Sequence, residues 1–256
     1  MRCVKYSLNI DDIRRVLIRL EETIIFSLIE RVQFAFNAEI YRPGRFGDTI
    51  GENESLVGYV LHETEKVHAT MRRYTAPEEE PFTGGLPAPI LPPRGAMEQA
   101  PLQPNAINVT GRIRHTYEHD IVPALCSDGD DGHYGSSSVA DVACLQAIAQ
   151  RVHYAKFVAE SKYGRDPAPF NAAIRDGDRG ALLRLITVPE VETAVLERVR
   201  LKAATYSRDP GRQAPSSAID AQLVANIYGD FIIPLSKKSN CCICWSGRPD
   251  ALPYPT

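Results

Sequence analysis

The amino-acid sequence predicts an all-α protein that folds as a single-domain multi-helix bundle. Three observations lead to this prediction: apolar residues recur at three- and four-residue steps, no long segment alternates polar and apolar residues as a strand would, and no repeat of fixed period is evident. The chain has 256 residues, of which 44% are hydrophobic. A chain of this length can bury a proper core without disulfide bonds.

The N-terminal part contains two predicted helices joined by a polar loop. The first helix covers residues 9–34, where apolar side chains recur every three or four positions. Residues 37–53 are polar and contain glycine, so we expect a loop. A second helix is predicted over residues 55–73, and it ends before Pro77 because the residue before a proline avoids the α region.

A proline-rich connector follows the second helix. Residues 77–104 carry eight of the 19 prolines, which is too many for a helix. The same stretch contains the apolar residues Leu86, Ile90 and Leu91, so we expect it to lie against the helices rather than to form a free linker. A third helix is predicted over residues 105–125.

The remaining chain contains five more predicted helices and then loses the helical pattern. These helices cover residues 137–163, 167–176, 178–186, 191–206 and 220–233. Asp220 is a suitable N-cap for the last of them. After Pro234 no apolar stripe continues, and further prolines and three cysteines follow: Cys241, Cys242 and Cys244. We therefore predict a main domain over residues 1–238 and a divergent, irregular, cysteine-rich tail over residues 239–256.

Composition excludes several classes of protein. The formal net charge of −3 argues against a general nucleic-acid-binding surface, and no stretch approaches the roughly 20 apolar residues that cross a membrane. The first ten residues resemble neither a signal peptide nor a transit peptide, which predicts a cytoplasmic protein. The three clustered cysteines lack a second pair at ligand spacing and a following histidine, so no metal site is predicted.

Charged residues within apolar helices are the first indication of a site. Arg151 and Lys162 lie eleven residues apart in one predicted helix, so they point in directions within about 20° of each other. The simpler interpretation is that both cations lie on a solvent-exposed face of the helix. However, Lys162 cannot share one exposed stripe with all of three further polar residues of this apolar helix, which are His153, Lys156 and Glu160. We expect at least one cation to point inward, where it needs an anionic partner or ligand.

Two more charges fit this interpretation. Arg14 lies in the apolar first helix, and Glu192 opens a later helix, where a contact with the helix dipole is the alternative explanation. Converging arginine and lysine side chains suit a small dicarboxylate. The sequence has no P-loop, HExxH motif or nucleophile elbow. Such a pocket would act without a cofactor, by holding a substrate conformation and stabilising developing charge, as in an isomerisation without a covalent intermediate.

Five segments carry a resemblance to a known family: IRRVLIRLEETIIFSLIERVQF, HETEKVHATMRRYTAPEEEPF, GDDGHYGSSSVADVACLQAIAQRVHYAKFVAESKYG, VETAVLERVRLKAATY and IYGDFIIPLSKK. In this order they resemble the all-helical chorismate mutases of fungi and plants, over roughly residues 9–238. The resemblance implies a homodimeric isomerase that converts chorismate to prephenate by a [3,3] rearrangement, on the route to phenylalanine and tyrosine.

The resemblance also implies roles for particular residues. Arg14 and Arg151 match the arginines that bind the substrate carboxylates, and Lys162 matches the lysine that donates to the ether oxygen. Glu192 matches the glutamate that contacts the substrate hydroxyl. Ser236 stands where the family has a threonine donor.

Asn240 departs from the family pattern. It stands where the family has a glutamate that donates to the ether oxygen when protonated. An amide donates at any pH but is one methylene shorter, and the loss of one such donor typically costs about 10²–10³ in rate. The departure leaves an alternative function open: a catalytically weakened homologue that binds aromatic amino acids or acts as a regulatory partner subunit.

A second site is implied at the dimer interface. Arg72 and Arg73 match cations that bind tryptophan, tyrosine or phenylalanine as effectors, together with Gly135 and Ser136 across the interface. The free N–H groups at the start of a helix favour a carboxylate. The simpler alternatives are a charge pair at the C-terminus of a helix and an N-cap at Ser136.

Overall fold

The computed structural model describes residues 8–92, 102, 107–207 and 219–246. These residues contain no strand, which confirms the predicted all-α fold. The helices of the first half are α1 (Ile10–Arg31), α2 (Gly47–Ile50), α3 (Leu56–Thr70), α4 (Thr110–Thr116) and α5 (Val122–Leu125). Those of the second half are α6 (Tyr134–Tyr154), α7 (Lys156–Arg165), α8 (Pro167–Arg175), α9 (Arg179–Ile186), α10 (Pro189–Tyr206), α11 (Ala221–Ile227) and α12 (Ile233–Ser246).

Polar side chains fix the starts of several helices. The Asn9 side chain accepts a hydrogen bond from the Asp11 backbone N–H at 2.9 Å, and Ser55 caps α3 in the same way. Asp220 accepts from a backbone N–H of α11, as the sequence predicts. Each cap satisfies a donor that the helix itself leaves free.

Helix α6 occupies the centre of the bundle. It packs against α1, α3, α4 and α12, and buried residues occur on nearly all of its sides. The predicted helix over 137–163 is interrupted at Ala155, where α6 ends and α7 begins. The interruption is a single residue, so α7 continues along the same apolar core.

The connector lies against the helices as predicted, although polar contacts hold it. The carboxylate of Glu65, fully buried in α3, accepts hydrogen bonds from the backbone N–H groups of Phe82 and Thr83. Lys156, also fully buried, donates to Glu80 at 2.8 Å. Ile90, one of the apolar residues that suggested the packing, is 71% exposed. The remaining part of the connector, residues 93–101 and 103–104, lies outside the described residues.

Two π-helical turns explain how prolines fit inside continuous helices. One covers Tyr117–Ile121 and the other Tyr228–Ile232, and each is followed at the second position by a proline, Pro123 or Pro234. A proline lacks the backbone N–H and its ring collides with the carbonyl group four residues earlier. The wider π-turn removes this conflict, so the helix continues past the proline.

The prediction of an irregular chain after Pro234 is therefore wrong as far as Ser246. Helix α12 continues to that residue, and the side chains of Cys241, Cys242 and Cys244 are buried, as is common for cysteine. The predicted boundary at residue 238 stays a prediction, although α12 crosses it without a break, and residues 247–256 lie outside the described part. No helix among the described residues is long and apolar enough to cross a membrane.

Candidate active site

A cavity of about 360 Å³ opens between helices α1, α6, α7, α10 and α12. All six residues that the sequence analysis assigned to a catalytic site line it: Arg14, Arg151, Lys162, Glu192, Ser236 and Asn240. They come from five helices, which range along the sequence from α1 to α12. The structure therefore brings this predicted set together in one place, while their roles stay to be tested.

Arg151 lies at the buried end of the cavity and has few partners. Its side chain donates one long hydrogen bond, from Nη1 to Oγ of Ser236 at 3.4 Å, and its Nε has no hydrogen-bond partner. No carboxylate among the described residues forms an ion pair with it. Burial lowers the pKa of Arg151, because the charged guanidinium loses its hydration. A buried cation in this state is costly unless an anion occupies the cavity.

Lys162 is held in place by the end of a neighbouring helix. Its Nζ donates to the carbonyl oxygens of Leu185 and Ile186, at 3.2 and 2.8 Å, at the C-terminus of α9. An ammonium group carries three protons, so one donor is left for a ligand. Burial and the nearby charge of Arg14 lower the pKa of Lys162. The lysine is thus oriented before any ligand binds.

Two ion pairs at the cavity were not found from the sequence. Glu192, predicted from the resemblance, is paired with Lys237 at 2.7 Å. Glu21 is fully buried and accepts two hydrogen bonds from Arg198, at 2.7 and 2.8 Å, which raise the pKa of Arg198. One signal was available: Glu21 follows Arg14 by seven residues, which places both on one face of α1.

The charges of the cavity suit a doubly negative ligand. Among the residues that the structure describes, five basic side chains and three carboxylates line it, a surplus of two positive charges; these residues are Arg14, Arg151, Lys162, Arg198, Lys237, Glu21, Glu190 and Glu192. Much of the remaining lining is apolar, with Leu17, Val158 and Val195 among it. An apolar wall lowers the effective dielectric constant and strengthens each charge interaction. The cavity can therefore bind a small dicarboxylate tightly.

The described lining residues offer no nucleophile with a general base. The Ser236 hydroxyl donates to the carbonyl oxygen of Ile232 at 2.8 Å, and no histidine or cysteine of the described chain lines the cavity. Within the described residues no group of three or more histidine, cysteine or acidic side chains is arranged to hold a metal ion. The chemistry that this arrangement supports is charge stabilisation and conformational selection of a bound anion.

The predicted effector residues are not brought together within one chain. Arg73 donates to Glu79 and Gln146, each at 2.9 Å. Gly135 and Ser136 are exposed in the first turn of α6, ten residues or about 15 Å along that helix from Gln146. Ser136 does not cap α6, which begins two residues earlier.

Arg72 adopts a left-handed backbone conformation, with φ of +65°, and its guanidinium donates to the carbonyl oxygen of Pro92. Such a conformation is unusual for a residue with a side chain and is often found at functional positions. Arg72 and Arg73 lie directly after α3, whereas Gly135 and Ser136 lie at the start of α6.

The bundle and the cavity define a class of protein: an all-helical protein whose cationic cavity suits a small dicarboxylate. Comparisons with known proteins identify the family. The family model described as chorismate mutase type II matches residues 133–240. The chloroplastic chorismate mutase 1 of Petunia hybrida is 44% identical over 239 residues, which cover 91% of this chain and 74% of that protein.

A chorismate mutase of Schizosaccharomyces pombe is also 44% identical, with 93% of this chain and 96% of that protein covered. Among solved structures, a Candida albicans chorismate mutase in complex with L-Trp matches with a TM-score of 0.86 and 37% identity, over 93% and 90% of the two chains. Another structure, with tyrosine in an allosteric site, matches with a TM-score of 0.84 and 40% identity, over 95% and 98%. The chain belongs to the chorismate mutase family.

Proposed function

We propose that this protein converts chorismate to prephenate in the cavity between α1, α6, α7, α10 and α12. One observation carries the proposal: Arg151 is buried at the end of a cavity with a surplus of two positive charges, and it has no carboxylate partner within the described chain. Chorismate is a dianion, so its two carboxylates match that surplus. The reaction breaks one C–O bond and forms one C–C bond within the bound molecule, and it needs no co-reactant.

The proposed roles of the residues follow from their positions. Arg14 lies half-exposed at the cavity mouth and Arg151 at its buried end, so the two can bind carboxylates at opposite sides of the ligand. Lys162 donates its remaining proton to the ether oxygen, where negative charge develops as the C–O bond breaks. Glu192, oriented by Lys237, accepts from the substrate hydroxyl. Ser236 and Asn240 provide uncharged polar groups on α12.

The direct test measures the loss of chorismate absorbance with the purified protein and with Lys162→Ala. We expect turnover by the wild type and a decrease of at least about 10² in the variant, because one donor to developing charge is removed. The matched control is Arg15→Ala, since Arg15 is an exposed cation of α1 that pairs with Asp12 outside the cavity. Full activity of Lys162→Ala contradicts the proposed role.

A second candidate function is an aromatic-amino-acid-binding homologue with weakened catalysis. It is favoured by Asn240, whose amide lies in the cavity with Oδ1 unpaired where the family has an acid. A wild-type protein that binds tryptophan or tyrosine but leaves chorismate unchanged supports this candidate and contradicts the first.

We also propose a homodimer that binds aromatic amino acids between subunits. Three exposed apolar residues on α3, directly after it and on α6 are suited to such an interface: Val67 (61% exposed), Met71 (50%) and Val139 (61%). The effector carboxylate would bind Arg72 and Arg73 of one subunit beside Gly135 and Ser136 of the other. The relatives with bound L-Trp and tyrosine support this assignment.

The experiment for this second site is light scattering together with activity at increasing tryptophan or tyrosine. Met71→Glu should produce monomers, and Arg72→Ala should abolish the response to the effector while basal activity stays unchanged. An unaltered response in Arg72→Ala contradicts the site. A cytoplasmic location is likewise a proposal, which a fluorescent fusion tests, since the Petunia relative is chloroplastic.

A further inference from the structure

Two exposed histidines lie one above the other on the helix that follows the connector. His115 belongs to α4 and His119 to the π-turn after it. Their ring centroids are 4.2 Å apart and the rings are inclined by 29°. A π-turn holds more residues per turn than an α-helix, so residues four apart lie more nearly in line. The fold thus places two imidazoles side by side on a solvent-facing surface, away from the proposed active site.

A hydrogen bond fixes which nitrogen of His119 is available. Its Nδ1 lies 2.9 Å from the backbone carbonyl oxygen of His115. A carbonyl oxygen only accepts, so Nδ1 is the donor, and in the neutral ring Nε2 is the nitrogen with a free lone pair. Histidine ligands of metal ions commonly have this arrangement, in which a carbonyl group orients the ring and makes the other nitrogen a better ligand.

We propose that His115 and His119 form a two-histidine binding site for a divalent late transition-metal ion such as Zn²⁺, Ni²⁺ or Cu²⁺. Zinc–nitrogen bonds are about 2.0–2.1 Å, so two ligand nitrogens on one tetrahedral ion are about 3.4 Å apart. The ring centroids of His115 and His119 are 4.2 Å apart, so the two rings lie close to this separation. Neutral imidazole suits this group of ions and does not suit Mg²⁺ or Ca²⁺.

The site binds a metal ion without hydrolytic chemistry. The segment HTYEH has the spacing of two histidines and a glutamate found in some zinc peptidases. Here Glu118 is turned onto Arg114, with its Oε1 2.7 Å from Nε, and it does not face the histidines as a base. No third histidine, cysteine or acidic ligand joins the pair among the described residues, so water completes the coordination.

The test titrates the untagged protein with ZnCl₂ by isothermal calorimetry and follows the melting temperature. We expect one Zn²⁺ per chain and a higher melting temperature for the wild type. His115→Ala and His119→Ala should each weaken Zn²⁺ binding at least about tenfold, because the second bond of a chelate forms at a high effective concentration. The matched control is His133→Ala, which removes an exposed histidine that has no histidine beside it.

Equal Zn²⁺ affinity in the wild type and His119→Ala overturns the proposal, as does a wild type that binds no Zn²⁺. Retention on a Ni²⁺ column gives a second measurement: the wild type and His133→Ala should be retained, and the His115 and His119 variants should not. Both of these variants should keep full chorismate turnover. The metal site and the proposed activity can therefore fail independently.

Discussion

Two arginine side chains are buried in the described part of this protein, and they differ in their surroundings. Arg31 at the end of α1 is fully buried and has a partner for each nitrogen: Asp141, Tyr41, Cys126 and the carbonyl oxygens of Phe34, Ala35 and Phe36. Arg151 in α6 is 7% exposed and has a single long hydrogen bond, to Ser236. One cation is enclosed by its own fold, and the other faces a cavity.

The pKa values of the two groups shift in opposite directions. Burial lowers the pKa of Arg151, and the electrostatic influence of Tyr228 and Glu21 only partly opposes it. Burial acts on Arg31 as well, but Asp141, Tyr41 and Cys126 together outweigh it and raise the pKa of Arg31. Burial alone therefore does not identify a functional cation. The distinguishing feature is a buried charge whose partners are missing at a cavity wall.

Replacement of Arg31 should give the largest effect on stability. Arg31→Met leaves the Asp141 carboxylate buried without its cation, and breaking a buried ion pair typically costs about 3–5 kcal/mol. Urea denaturation followed by circular dichroism measures this loss. If Arg31→Met alone proves too unstable to purify, Asp141→Asn can be measured instead. This variant removes the carboxylate and leaves Arg31 buried without its anion, so it should also be destabilised.

The double variant Arg31→Met/Asp141→Leu provides the matched control for that prediction. Removing both charges leaves no buried ion, so the double variant should be more stable than Arg31→Met. A double variant no more stable than the single one shows that packing, rather than charge pairing, dominates at this position.

Replacement of Arg151 should have the opposite profile. Arg151→Met removes a buried charge that lacks a carboxylate partner, so the free energy of unfolding should stay equal or increase. Chorismate turnover should fall by about 10²–10³, or ~2.7–4 kcal/mol, because a carboxylate-binding donor is lost. The two measurements together separate the roles: loss of stability with retained turnover makes Arg151 a structural residue like Arg31.

A third buried group, His153, lies two residues beyond Arg151 and has all its partners. Its Nε2 accepts from the Val109 N–H at 3.2 Å, and its Nδ1–H donates to the Ala149 carbonyl at 2.9 Å. Burial, assisted by the charge of Lys156, lowers the pKa of His153 to about 3. Between about pH 6.5 and 3 the unfolded chain therefore binds a proton that the folded chain does not.

Stability should accordingly decrease as the pH falls from about 6.5 towards 3, by about 1.4 kcal/mol per pH unit from this residue. Above about pH 6.5 His153 is neutral in both the folded and the unfolded chain, so it causes no further change in stability with pH. Urea unfolding at a series of pH values measures the slope, and His153→Gln should lower it by the equivalent of one proton. His62→Gln is the control, since His62 is only partly buried. Identical slopes for the wild type and His153→Gln contradict the assignment.

The sequence predicted the helical fold and the six residues of the cavity because both depend on local pattern or on family resemblance. Arg151 and Lys162 share a direction through helix geometry alone. Ion pairs such as Glu21 with Arg198 join residues 177 positions apart, and helix periodicity carries no information on that contact. The pattern predicts a helix end at Pro234, because the sequence does not show that a π-turn before this proline lets the helix continue.

Position 240 is a place where one substitution can supply the carboxylate that Arg151 lacks. Asn240 lies one turn beyond Ser236 on α12, lines the cavity, and its Oδ1 has no hydrogen-bond partner. Asn240→Glu places a carboxylate among the cavity cations, whose surplus of charge favours the ionised form. In this variant Arg151 should have a carboxylate partner, as Arg31 has in Asp141. The free energy of unfolding should therefore increase slightly near neutral pH.

The same change should make catalysis depend on pH. A glutamate donates to the ether oxygen only when protonated, so the turnover of Asn240→Glu should be highest in acid and fall by about tenfold, or ~1.4 kcal/mol, as the carboxyl ionises. Asn240→Gln is the matched control, because it has the length of glutamate and donates at every pH. Parallel pH profiles of kcat for the two variants would show that the residue at position 240 does not donate to the reacting oxygen. If the kcat of Asn240→Glu falls with pH while that of Asn240→Gln does not, the residue at position 240 donates to the reacting oxygen. The Asn240 amide of the wild type then makes catalysis independent of the ionisation of a carboxyl group at this position.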